Sequence, residues 1–416
     1  MTLALLHIND HCLRVIAENG ENRAETGFCY SDDHGLVSGS AAYETAWTKP
    51  HLSNNRFWHE LNQKPLSRKL KYARHHADMA YAQLCRMLSS ISSPQVLLSV
   101  PASLDNEQLS ILLGLIKAVP AEICGVIDGA LLAAGPEHQL VLEMQLHQTV
   151  LTQLEKTGES IKISTHKKIP KLGVSAIYRE VAMHVSERLI TTNRHDPLYL
   201  PENQQQLYNA IPKALSQMET NSEAIISLDT PAGVLAVKLS NDDLTKILDP
   251  LSKELYQGIN EYSPDEVLLG SGGGIVAAFG TPLANSNRAN FDLMAQKGFS
   301  LVQSETISPI PLKRIVSLRS AKSEIIAVGR AATHLVNEGR AWRLDKPLSL
   351  WLMNTGVEIA RGEMSDSDLI IHADGVNLKT LYKKEHTPIG LPKDAICGAW
   401  LEVGKYKLQL IDIHDA

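Results

Sequence analysis

Residues 94–135 read PQVLLSVPASLDNEQLSILLGLIKAVPAEICGVIDGALLAAG, and residues 267–276 read VLLGSGGGIV. The first stretch begins with an apolar run that ends at Pro101, which predicts a buried strand. Asp105 or Ser103 can cap the helix that follows, and Glu107 stands in its first turn. The second stretch predicts an apolar strand that runs directly into glycines. Strands that alternate with helices in this way predict a mixed α/β fold.

The composition limits the classes of function. The chain has 416 residues, of which 44% are hydrophobic and 21% charged, as is ordinary for a globular protein with a large core. Its net charge of −6 gives no reason to expect nucleic-acid binding. The basic stretch at residues 64–71, KPLSRKLK, favours a solvated helix face over a polyanion site.

Three features predict a cytoplasmic protein. The sequence contains no run of about 18 apolar residues, so we expect no membrane insertion. The N-terminus, MTLALLHINDHC, lacks the basic region of a signal peptide and is typical of a first strand. The five cysteines are scattered without a CxxC pair, which suits a reducing compartment.

Hydrophobic periodicity divides the chain into blocks. Apolar spacing near 3.6 predicts a long helical stretch over residues 66–92 and a final helix over residues 323–339. Strand patterns without a helical pattern between them follow from about residue 345. We therefore expect two α/β lobes, residues 1–136 and 137–344, and a small β-rich module at residues 345–416.

Five short segments occur in an order that resembles the actin-like ATPase superfamily, in particular the nucleotide-binding domain of DnaK-type heat-shock chaperones. They are Leu36–Ala42, Val100–Ala102, Val126–Gly135, Val267–Ile275 and Ser323–Ala331. The resemblance covers about 340 residues. It implies a two-lobed actin-like ATPase (ribonuclease H-like) fold, followed by the small C-terminal β module.

The sequence departs from the family's pattern at the positions that bind phosphate and carry out catalysis in the family. Phosphoryl transfer needs backbone N–H groups close to the phosphate oxygens, and the family supplies them from two glycine-rich loops. Here the corresponding stretches read HINDH at residues 7–11 and EMQLHQ at residues 143–148, without glycine. The family's catalytic lysine falls near His59, and its water-side aspartate falls at Ala176. We therefore expect no ordinary ATP hydrolysis and assign no catalytic residue.

The resemblance implies three groups of nucleotide contacts. Adenosine would contact Gly270, Ser271, Gly272, Gly273 and Gly274, although close packing of a strand-to-helix turn also explains these glycines. Lys213 would lie near adenine, although Pro212 beside it disturbs a helix. Asp10 and Glu143 would hold magnesium, but only if a nucleotide binds. ATP or ADP binding is expected to be weak or absent.

Other chemistries find little support in the sequence. His7 and His11 on one strand lie about 13 Å apart, too far to share a metal ion, so we assign no metal ligand. Ser99 and Ser271 lack the Gly-x-Ser-x-Gly elbow of a hydrolase. The leading hypothesis is a catalytically degenerate DnaK-like binding or scaffold protein with protein partners. The alternatives are an ATP-binding chaperone-like ATPase with an atypical phosphate site, a filament-forming actin-like protein, and a sugar or acyl kinase.

Overall fold

The chain divides into two compact units, residues 1–321 and 322–416. The structure, a computed structural model, describes residues 2–92, 94–135, 137–157, 160–231, 233–264, 266–272, 275, 283, 286–304, 314–319, 333–337, 340–353, 356–374, 377–382, 389–390, 400–403 and 406–411.

The first unit contains both strands and helices. Its described strands are β1 (Thr2–His7), β2 (Leu13–Ala17), β3 (Asn22–Glu25), β4 (Cys29–Ser31), β5 (Leu36–Ser38), β6 (Ser53–Asn54), β7 (Pro94–Val100), β8 (Glu122–Asp128), β9 (Leu140–Met144), β10 (Gln148–Thr157), β11 (Ser160–Pro170), β12 (Glu223–Thr230), β13 (Gly233–Ser240), β14 (Val267–Leu269), β15 (Arg314–Ile315) and β16 (Ser317–Arg319). Its described helices are α1 (Ser40–Tyr43), α2 (His76–Leu88), α3 (Asn106–Ala118), α4 (Gly129–Ala133), α5 (Val174–Asn193), α6 (Pro201–Met218), α7 (Asn241–Asn260) and α8 (Phe291–Gln303).

Two mixed sheets organise this unit, which confirms the α/β prediction. The first has the strand order β3-β2-β1-β7-β8-β15, and the second has the order β16-β11-β10-β9-β14. In the first sheet β1 is antiparallel to β2 and parallel to β7. In the second sheet β9 is antiparallel to β10 and parallel to β14. Each sheet thus combines an antiparallel three-strand meander with a parallel neighbour.

The apolar run in β7 follows from its place in the sheet. The strand lies between β1 and β8, parallel to both, and its two faces pack on different cores. Val96 and Leu98 pack with α2 and α3, whereas Leu97 packs in a core shared by both sheets and by α4 and α8. A strand that is buried on both faces needs apolar residues at successive positions rather than at alternate ones.

The predicted start of α3 is confirmed. Asp105 caps the helix, because its carboxylate accepts a hydrogen bond of 2.8 Å from the backbone N–H of Gln108. The Asp105 backbone N–H donates in turn to the Gln108 side chain, which completes a capping box. Glu107 stands in the first turn, where the helix dipole favours a negative charge.

Two predicted helices are partly wrong. The helix expected over residues 66–92 forms only at His76–Leu88. Residues 66–72 are irregular because they are bound to neighbouring loops: the Tyr72 hydroxyl donates to the Asp33 carbonyl and Arg68 to the His51 carbonyl. In the helix expected over residues 323–339, His334–Asn337 form a strand instead, and residues 323–332, 338 and 339 lie outside the described residues.

The described part of the second unit is built from strands. They are β17 (His334–Asn337), β18 (Arg340–Arg343), β19 (Leu348–Leu352), β20 (Val357–Arg361), β21 (Leu369–Asp374), β22 (Asn377–Tyr382), β23 (Ile389–Gly390), β24 (Trp400–Val403) and β25 (Tyr406–Ile411). They form one sheet of order β18-β17-β25-β24-β23 and another of order β20-β19-β21-β22. The predicted β-rich module, residues 345–416, lies inside this unit. None of the described helices of the chain is long and apolar enough to cross a membrane.

Candidate functional site

Two hairpin turns meet between the sheets of the first unit. The first loop, residues 8–12, joins β1 to β2, and the second loop, residues 145–147, joins β9 to β10. The backbone N–H of Leu146 donates a hydrogen bond of 2.7 Å to Asp10 Oδ1, and the Asn9 side-chain amide donates to the Met144 carbonyl at 3.4 Å. Hydrogen bonds therefore join the two loops directly.

Backbone amides at the second loop are already used inside the protein. The N–H of Met144 donates to the Ser271 carbonyl and that of Gln145 to the Gln148 carbonyl, each at 2.9 Å. The N–H of Leu146 donates to Asp10. A phosphate binds through N–H groups that have no other acceptor. The N–H groups of Met144, Gln145 and Leu146 each have an acceptor within the protein already, so none is left for a phosphate.

The first N–H groups of α5 are also hydrogen-bonded within the protein. The first N–H groups of a helix have no acceptor within the helix and attract anions. Here the N–H of Val174 donates to the Gln145 carbonyl at 2.9 Å, and that of Ser175 donates to the Leu146 carbonyl at 3.0 Å. The second loop therefore takes the place that an anion would need.

The glycines after β14 pack against the end of β9. A Cβ atom at Gly270 would lie 2.8 Å from Glu143 Cγ, and one at Gly272 would lie 2.5 Å from the Met144 carbonyl oxygen. Gly272 also has a φ of +77°, which side chains rarely adopt. Close packing thus accounts for both glycines, and Ser271 between them is buried. Gly273 and Gly274 lie outside the described residues.

Gly272→Ala is expected to lower the free energy of unfolding by about 1–3 kcal/mol, because the new methyl group meets the Met144 carbonyl in a left-handed backbone conformation. Thermal unfolding without nucleotide measures the loss. Gly114→Ala in α3 is the matched control, since a Cβ there meets no atom within 4 Å and alanine favours a helix. An unchanged melting temperature for Gly272→Ala would contradict the packing explanation.

Burial raises the pKa of Asp10 into the neutral range and that of Glu143 above it. Loss of hydration raises the pKa of Asp10 to about 7, against the opposing effect of the hydrogen bond from Leu146. Burial is the main cause that raises the pKa of Glu143 to about 8. The negative charge of Asp128 raises this pKa further, and the positive charge of Arg314 opposes the rise. A neutral carboxyl is a poor magnesium ligand. Among the described residues, no group of three or more histidine, cysteine, aspartate or glutamate side chains is placed to hold a metal ion.

A buried polar cluster joins β1, β7 and β9, and sequence reasoning missed it. His7 Nδ1 lies 2.9 Å from Ser99 Oγ, and His7 Nε2 lies 3.9 Å from Glu143 Oε1. Burial, with help from the Arg14 charge, lowers the pKa of His7 to about 4. His7 and Glu143 are thus both neutral near pH 7, and their proximity is not an ion pair. All three side chains are at most 2% exposed, which separates this serine and histidine from solvent.

A second buried contact was also missed. Arg314 Nη2 lies 2.6 Å from Asp128 Oδ2, and the same guanidinium donates to the carbonyls of Pro101 and Leu104. Asp128 also caps α4 by accepting a hydrogen bond from the N–H of Ala130. The resemblance includes Asp128 in the segment Val126–Gly135 but assigns no partner to it, because Arg314 is 186 residues away in the chain.

A polar cleft of about 320 Å³ opens beside the two loops. Its walls include Asp10, Gln145 and Gln148 from the loop region and His59, which stands where the resemblance expects a lysine. The cleft therefore brings Asp10 of the first loop and His59 to one lining. Lys213 is exposed on α6, which continues through Pro212 without a break, and no described contact joins Lys213 to this region.

Comparisons with known proteins do not assign a family. A scan against protein-family models gives no match, and a search of curated proteins finds no similar sequence.

Proposed function

We propose that this chain is a catalytically degenerate relative of the actin-like ATPases, of the DnaK type, that acts as a cytoplasmic scaffold for protein partners. Two mixed sheets that repeat one arrangement of strands support the two-lobed fold. A buried strand that ends at Val100, just before Pro101, and a strand, β14, that runs into Gly270 are further features that support the resemblance. A likeness of fold leaves the function to be argued from the site.

The main support for the proposal is the direct hydrogen bond between the two loops. Asp10 accepts the N–H of Leu146, and the neighbouring amides of Met144 and Gln145 are bonded to protein carbonyls. ATP binding would require these bonds to break before any phosphate contact could form. An unpaired buried polar group costs about 1–3 kcal/mol, so nucleotide binding at this place is opposed.

The alternative, an ATP-binding ATPase that uses Asp10 and Glu143 for magnesium, has weaker support. Both side chains are buried, and burial raises the pKa of both into or above the neutral range. A magnesium ion would first have to displace both protons.

Calorimetric titration of the full chain with ATP and ADP, with and without magnesium, tests the proposal. We expect no magnesium-dependent binding up to millimolar nucleotide. Micromolar, magnesium-dependent binding that is lost in Glu143→Ala would establish the alternative instead. Glu155→Ala is the matched control, because Glu155 is exposed at the end of β10 and its removal leaves the loops intact.

A further inference from the structure

A basic groove lies on the surface of the first unit, apart from the loop region. Its volume is about 460 Å³, and its lining combines four basic side chains with two half-buried leucines: Lys49, Arg68, Lys69, Lys71, Leu52 and Leu70. None of these residues lines the polar cleft beside the loops. Residues 68–71 of the basic stretch therefore form one wall of a groove, and the stretch is not the helix face that its charge pattern favours.

Hydrogen bonds hold this wall in place. Arg68 donates to the His51 carbonyl at 2.9 Å, and Lys71 donates to the Asp33 carbonyl at 3.2 Å. The Tyr72 hydroxyl also donates to the Asp33 carbonyl, at 2.7 Å. The groove is thus a preformed feature, although residues 66–72 have no regular secondary structure.

The groove carries a positive charge on a chain whose net charge is −6. Two aspartates also line it, and both are engaged. Asp33 lies 3.7 Å from Lys71, and Asp32 accepts hydrogen bonds from the N–H groups of His34 and Gly35 in its own turn. Within the described residues, Lys69 has no ion-pair partner.

We propose that the basic groove binds an acidic peptide segment of a partner protein, with an apolar side chain as its anchor. The exposed cations suit separated carboxylates, and the two leucines between them suit one apolar side chain. Single-stranded nucleic acids usually stack their bases on aromatic side chains, whereas leucines form the apolar part of this lining. The inference stands whether or not the cleft binds nucleotide.

Fluorescence anisotropy of a labelled peptide, with glutamates on both sides of one central leucine, tests the proposal on the full chain. We expect binding that weakens as salt rises, because screening at about 0.1 M acts over about 10 Å. Lys69→Glu should weaken binding about fivefold to tenfold, since it replaces an attraction by a repulsion. Lys49→Glu, from a different segment of the lining, should act in the same direction. Lys246→Glu, exposed on α7, is the matched control and should leave the affinity unchanged.

Replacing the peptide's leucine with glycine should also weaken binding, because the anchor is lost. Three results would overturn the proposal: no binding of the acidic peptide at low salt, equal affinities for wild type and Lys69→Glu, or tighter binding of single-stranded RNA or phosphatidylserine vesicles that Lys69→Glu abolishes. The last result would assign the groove to a polyanion or a membrane surface.

Discussion

Arg314→Leu is expected to lower the free energy of unfolding by about 3–5 kcal/mol, because it leaves a buried charge without its partner. Asp128 is fully buried, and its carboxylate lies 2.6 Å from the Arg314 guanidinium, which is itself only 17% exposed. The substitution also removes the donors that serve the carbonyls of Pro101 and Leu104. Urea unfolding near neutral pH measures the loss.

The loss should be smaller in acid. Burial already raises the pKa of Asp128, and Arg314 opposes that rise. Without Arg314 the carboxyl takes up a proton more readily in the folded state than in the unfolded chain, so the variant should gain stability relative to wild type as pH falls. Asp128→Asn in the same background should recover part of the loss at neutral pH, because the uncompensated charge is removed.

An exposed ion pair of equal length provides the control. Arg288 lies 2.6 Å from Glu219, but their side chains are 43% and 29% exposed. Exposed pairs contribute about 0–1 kcal/mol, so Arg288→Leu should cost no more than that. Similar small losses for Arg288→Leu and Arg314→Leu would contradict the view that the Asp128–Arg314 contact supports the fold.

Local patterns in the sequence predicted local structure well. The apolar run in β7 and the capping aspartate of α3 each depend on residues close in the chain. These signals are apolar periodicity and helix capping, and both depend on only a few neighbouring residues. They were sufficient for the α/β class and for the start of α3, but not for the two helices predicted over residues 66–92 and 323–339.

Contacts between distant segments were not predictable in this way. His7 meets Ser99 across 92 residues, and His334–Asn337 becomes a strand because it pairs with Tyr406–Ile411. Periodicity within a window carries no information about such partners. The glycines after β14 show the same limit. Both nucleotide binding and close packing explained them until the structure placed Gly272 against Met144.

Glu143→Gln is expected to remove a loss of stability that the wild type undergoes between about pH 4 and about pH 8. Burial raises the pKa of Glu143 to about 8 in the folded state, whereas an unfolded glutamate titrates near 4. Between these values the folded protein holds a proton that the unfolded chain has released, so stability falls as pH rises. Glutamine keeps the size of the side chain but has no proton to lose.

The difference in unfolding free energy, variant minus wild type, should therefore be flat below about pH 4 and rise to about 4 kcal/mol near pH 8. Asp10→Asn should give a similar curve that levels off near pH 7, because burial raises the pKa of Asp10 to about 7. Urea unfolding across this pH range measures both curves, and Glu155→Gln, which alters an exposed carboxylate, is the matched control. A flat curve for Glu143→Gln would mean that Glu143 is ionised at neutral pH. It would then be able to bind magnesium, which would favour the active-ATPase alternative.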